Sequence, residues 1–165
     1  MGLDITICKA KKDGLAESLD RCAELSRCIR EITTRIESAT DTDKTDLEQQ
    51  ANELQHEYDN TLPYIDVAYF RKTNFLMAFF DDFDNGEYLE ISKDEVDELL
   101  NNCERVLADH SLAPELLPTQ EGFFFGSTDY DEEYFDKVRN VLDTFTMIME
   151  IVDLSEYSLF ITAWW

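Results

Sequence analysis

Leu3-Asp4-Ile5-Thr6-Ile7-Cys8-Lys9-Ala10 is the stretch on which the fold turns. Leu3, Ile5 and Ile7 fall on one side and Asp4 and Thr6 on the other, the period-two pattern of a strand. Its expected partners lie far along the chain. Ser158 to Trp165 contributes Leu159, Phe160, Ile161, Ala163, Trp164 and Trp165, and so large an aromatic pair points to a docked segment rather than a frayed one. Glu87 to Ile91, behind the turn residues Asp84-Asn85-Gly86, supplies a short middle strand. The expectation is an α+β fold: a small sheet of N-terminal, middle and C-terminal strands, with helices packed on it.

Between these strands the apolar spacing lengthens to three or four residues. Leu15, Leu19, Cys22, Leu25, Ile29, Ile32 and Ile36 form one stripe, and Leu47, Ala51, Leu54 and Tyr58 a second. The polar run Asp41 to Thr45 interrupts them, so the two segments predict an antiparallel helical hairpin over residues 14–60, inserted as an arm in a single domain of residues 1–165. Such an arm either packs on the body or pairs with another copy, giving a homo-oligomer. A further helix is expected from about Val67 to Phe83. Ser92 with Glu95 is a capping box, and Val96, Leu99, Leu100, Cys103, Val106 and Leu107 give the helix behind it an inner face. Tyr134 to Val152 carries the last helical stripe.

Charge is the dominant global property. Thirty-seven acidic residues stand against fourteen basic ones, a formal net charge of -23. Such a field repels nucleic acid and anionic membranes and attracts basic surfaces, so no direct nucleic-acid binding is expected. The 44% hydrophobic and 12% aromatic content separates the chain from disordered acidic tails. Cys8, Cys22, Cys28 and Cys103 form no CxxC pair, and His56 and His110 are isolated, so neither a zinc site nor any other metal or cofactor is expected. Four free thiols, no signal-peptide pattern and no apolar run near the roughly 20 residues of a membrane span predict a cytoplasmic protein.

The most particular stretch is Leu116 to Tyr134, in which Gly122 and Gly126 bracket Phe123, Phe124 and Phe125. Pro118 is expected to end the segment before it. Ser127 and Thr128 are read as helix caps, and Asp129, Asp131, Glu132 and Glu133 suit the positive end of a helix. The phenylalanines are read either as core plugs or as an aromatic platform for a partner. Asp94, Asp97 and Glu98 on the capped helix join Phe123, Phe124, Phe125, Asp129, Asp131 and Glu132 as candidate partner-binding residues. Arg71, Lys72 and Asn74 stand out in so acidic a chain; they either pair internally or hold an anionic group. Asp81 to Ser92 resembles a calcium loop, but Phe83 occupies its third position and Ser92 its twelfth, so the turn reading is kept. No phosphate-binding loop, dinucleotide fingerprint, nucleophile elbow or HExxH is present, and no catalytic residue is proposed.

Taken together, Met1-Gly2-Leu3-Asp4, Tyr69-Phe70-Arg71-Lys72-Thr73-Asn74, Leu116-Leu117-Pro118, Gly122 to Ser127, Asp129 to Tyr134 and the pair Trp164-Trp165 resemble a group of small acidic bacteriophage and prophage proteins of unknown function. Members carry Tyr-Trp-Arg-Lys where this chain has Tyr69-Phe70-Arg71-Lys72, and some carry a kinase name that nothing in this sequence supports. The resemblance spans the strands and the last hundred residues but not the hairpin. It implies a non-enzymatic accessory product acting inside a host cell. With the charge, it predicts binding to a host protein with a basic surface, of the nucleic-acid-handling or anti-phage defence kind, by mimicry of DNA. The alternative is a small-molecule or anion-binding protein, sequestering its ligand or acting on it, with Arg71, Lys72 and Asn74 beside the Phe-rich loop.

Overall fold

The computed structural model describes residues 2–80 and 84–165. The chain divides into two compact units, Lys11–Tyr64 on one hand and Met1–Ala10 with Ile65–Trp165 on the other.

The larger unit is built on four strands, β1 (Asp4–Lys11), β2 (Ile65–Arg71), β3 (Tyr88–Ile91) and β4 (Tyr157–Trp164). They form an antiparallel sheet in the order β2-β1-β4-β3. The alternation read from the sequence sets its sides. Leu3, Ile5 and Ile7 of the N-terminal strand and Leu159, Ile161 and Ala163 of β4 all point into the core. Between β1 and β2 the register runs from Asp4 opposite Arg71 to Lys9 opposite Ile65, with a bulge after Ile7. Cys8, next to that bulge, donates its Sγ hydrogen to Asp66 Oδ1 at 3.3 Å.

The smaller unit is the predicted hairpin. Helix α1 (Leu15–Ser38) and helix α2 (Asp41–Thr61) are joined by Ala39 and Thr40 alone. The link is shorter than expected, because Asp41 to Thr45 already belongs to α2: acidic residues suit a helix start. Arg21 near the start of α1 reaches both Glu24 at 3.1 Å and Glu57 near the end of α2 at 2.6 Å, which fixes the antiparallel sense. Tyr58 lies close enough to Cys22 that burial, followed by the Cys22 and Asp59 charges, raises its pKa.

The remaining helices belong to the larger unit: α3 (Phe75–Phe79), α4 (Lys93–Ala108), α5 (Ala113–Leu116) and α6 (Glu132–Ile151). The helix expected from Val67 to Phe83 is corrected here. Its first part is strand β2, and only Phe75–Phe79 is helical; Phe83 and Asp81 lie outside the described residues. Ile65, Tyr69 and Phe70 are β-branched or aromatic and pair along β1, Val67 sits at the bulge between them, and Lys72 then adopts a left-handed backbone (φ 53) that no helix continues through. Helices α4 and α6 cover the core face of the sheet with Val96, Leu99, Cys103 and Val106 from one and Val138, Val141, Phe145 and Ile148 from the other. Phe145 stacks on Phe70 with ring centroids 6.1 Å apart.

Candidate functional site

The two sequence stretches singled out above, Arg71 to Asn74 and Gly122 to Tyr134, meet in space. Lys72 N donates to Leu3 O at 2.8 Å, and Leu3 N donates to Phe124 O at 2.9 Å, so the start of the sheet is sewn to both. Asn74, only 3% exposed, donates Nδ2 to Ser127 O at 2.9 Å. Gly126 is left-handed (φ 93), and a Cβ there would lie 3.3 Å from the Lys72 Cβ. Lys72, Asn74, Ser127, Asp129, Asp131, Glu133 and Lys137 line one cleft, whose enclosed volume of about 10 Å³ is that of a single water.

The carboxylates of this cleft are already engaged. Asp129 Oδ2 accepts from Ser127 Oγ at 3.1 Å, and Glu133 holds Lys137 at 2.7 Å. Asp131 accepts from Tyr134 N at 3.0 Å and is the N-cap of α6. That corrects the assignment of the cap to Ser127 and Thr128: Ser127 is spent on a local turn with Asp129, and Thr128 O accepts from Thr119 Oγ1 at 3.1 Å. Arg71 turns away from the cleft. Its Nε lies 3.9 Å from Asp4 Oδ1, and Asp4 also accepts from Tyr69 OH, whose pKa is raised chiefly by that hydrogen bond. Arg71 and Lys72 meet beside Gly2, where a Cβ would lie 3.4 Å from Arg71 Nη2 and 3.6 Å from Lys72 Cε, while the Asn74 amide is taken by Ser127 O.

The three phenylalanines have three different fates. Phe125 is buried, 5% exposed, and meets Trp165 edge-on at 5.6 Å. Phe124 is half-buried and props Phe123 in a T-shaped contact at 4.8 Å. Phe123 is 94% exposed. Both sequence readings, core plug and platform, thus describe different residues of the same turn.

Asp94, Asp97 and Glu98 are exposed in the first two turns of α4. They are not beside the Phe turn. Ile91, which leads into α4, pairs with Leu159, whereas Phe125 packs on Trp165, six residues further along the chain and just past the end of β4. That places the start of α4 about 20 Å from the Phe turn. Helix α6 starts at the Phe-turn end and leads into β4 at the other, so it runs antiparallel to α4. Their outward faces are acidic: Asp94, Asp97, Glu98 and Glu104 on α4, and Glu132, Asp136, Asp143 and Glu150 on α6, are all exposed. Lys93 pairs with Asp97, and Arg139 with Asp136 at 2.6 Å. Asp94, Glu98, Glu104, Glu132, Asp143 and Glu150 have no ion-pair partner among the described residues. Of the α6 half of this face the sequence reading named Glu132 alone, although Asp136, Asp143 and Glu150 recur every seven residues opposite the apolar stripe.

Among the described residues no group of three or more His, Cys, Asp or Glu side chains is placed to hold a metal ion, and no helix is long and apolar enough to cross a membrane. No protein-family model, no curated protein and no solved structure matches the chain.

Proposed function

We propose that the protein binds a basic surface on another protein through the acidic face of α4 and α6, occupying a place meant for nucleic-acid phosphates. The observation that carries this is the pair of neighbouring antiparallel helices whose outward carboxylates outnumber their cations. Along α4, Asp94 and Glu98 stand about 6 Å apart, close to one helical turn. Rows of negative charge at such intervals raise the association rate with a basic partner and repel anionic competitors. The resemblance to phage proteins supports the kind of partner: a host protein that handles nucleic acid or defends against phage, which this chain would inhibit without chemistry of its own.

The other reading, an anion held by Arg71, Lys72 and Asn74, has less support. Arg71 points to Asp4, and the cleft beside Lys72 is narrow and lined by carboxylates.

A pull-down from host lysate supplies the partner, and titration of that partner at rising salt tests the mechanism. Affinity should fall steeply with NaCl, because exposed charges are screened beyond about 8 Å at physiological ionic strength. Double-stranded DNA should compete. Asp94→Asn, Asp97→Asn and Glu98→Gln together should slow association more than they speed dissociation. Affinity indifferent to salt, with no competition by DNA, rules the mimicry out.

A further inference from the structure

We propose that Phe123 is an anchor for a protein surface presenting an apolar pocket rimmed by lysine or arginine side chains. This rests on the reading above and states what the partner must offer at the far end of the acidic body. Phe123 projects from a turn held on every side. Phe125 N donates to Gly122 O at 3.1 Å, and Leu3 N donates to Phe124 O. A Cβ on Gly122 would stand 2.5 Å from the Phe125 ring, so glycine there lets Phe125 fold beneath the turn. Phe125 is clasped by Trp165, and Phe124 braces Phe123 from the side. An aromatic ring on a backbone already fixed gives up little conformational freedom on docking, and its burial removes apolar area from water.

The neighbours decide what it docks into. Glu121, Asp129, Asp131 and Glu132 are all exposed on the segments flanking the turn. Exposed aromatic rings also stack on nucleic-acid bases, but such sites are embedded in positive charge that tracks the phosphates. Here four exposed carboxylates flank the turn and Lys72, packed beside Gly126, is the nearest cation, so the balance of charge repels a phosphate backbone and favours a basic rim. Phe125, in contrast, is a clasp and not part of the contact.

The test uses the whole chain and three labelled probes read by fluorescence anisotropy: a peptide alternating lysine with leucine, one alternating lysine with serine, and a thymidine oligonucleotide. Phe123→Ala should weaken binding of the lysine–leucine peptide roughly 30-fold. It should leave the lysine–serine peptide, bound by charge alone, unchanged, and Phe123→Trp should retain the wild-type affinity. The oligonucleotide should bind neither protein. Equal affinity of wild type and Phe123→Ala for the lysine–leucine peptide overturns the anchor while leaving the acidic face standing. Oligonucleotide binding that is lost in Phe123→Ala replaces the anchor by base stacking. Failure of both basic peptides to bind wild type overturns the acidic-face reading and the anchor with it.

Discussion

At the scale of single residues, the interior is dry enough to change the chemistry of its thiols. Burial, followed by the nearby Glu104 charge, pushes the Cys103 pKa up to about 12. Cys8 is also pushed up to about 12, by burial first and then by its hydrogen bond to Asp66 and that carboxylate's charge. Their spacing pointed to free thiols, as all four are, but it could not rank them, because burial depends on which strand or helix face each side chain occupies. The sign of the pH effect follows directly. An unfolded thiol ionises near its ordinary value of about 8.5, while the folded one stays protonated. The folded state therefore binds more protons above that point, and stability is lost as pH rises between roughly 9 and 12. At pH 10 the loss is about 2 kcal/mol per buried thiol, and Cys103→Ala should remove the Cys103 share of it while lowering stability at neutral pH. Urea midpoints measured at pH 8 and pH 10 check this; identical midpoints in the wild type refute it. Cys28, partly exposed, should react with a thiol reagent well before Cys8 or Cys103.

At the scale of elements, strands and helices with a long regular period were legible, and those set by their neighbours were not. The stripe from Val96 to Val106 and the Ser92–Glu95 capping box appear as read, with Ser92 N donating to Glu95 Oε2 at 2.7 Å. Strand β2 was misread because Tyr64 to Phe70 and Phe75 to Phe80 are both rich in apolar and aromatic residues, and only the ladder to β1 tells a strand from a helix in the first of them. The start of α6 was placed too early for a related reason. Five residues between Ser127 and Asp131 are all plausible caps by type, except Tyr130, and local turns claim the first of them. A specific consequence follows for the caps. Asp131→Ala should destabilise by about 1 kcal/mol through loss of the bond to Tyr134 N. Thr128→Ala should cost less, since its backbone carbonyl, not its side chain, accepts from Thr119. Chemical denaturation of the two single variants decides the matter: a larger loss for Thr128→Ala contradicts the assigned cap.

At the scale of the whole molecule, the insertion of the arm between two paired strands separates folding from charge. Lys9 and Ile65 are register partners on β1 and β2, so the body's sheet closes whether or not the hairpin intervenes. Half of the fourteen basic residues lie in Lys11–Tyr64, which leaves the larger unit with most of the negative charge, including the whole outward face of α4 and α6. The sequence anticipated an arm at residues 14–60 from its two stripes, and the compact unit extends that by a few residues at each end, to the limits of the strands that flank it. Replacing residues 10–64 with Asn-Gly, the preferred two-residue turn for antiparallel strands, should give a shortened chain that still unfolds cooperatively. Its dependence on urea should fall by about one third, since that slope scales with the surface exposed on unfolding. It should also keep the salt-sensitive affinity for the lysine–serine peptide, because every carboxylate proposed for that contact remains. Loss of cooperative unfolding would show that the body needs the arm to fold. Retained folding with lost peptide binding would move the acidic contact from α4 and α6 to the hairpin.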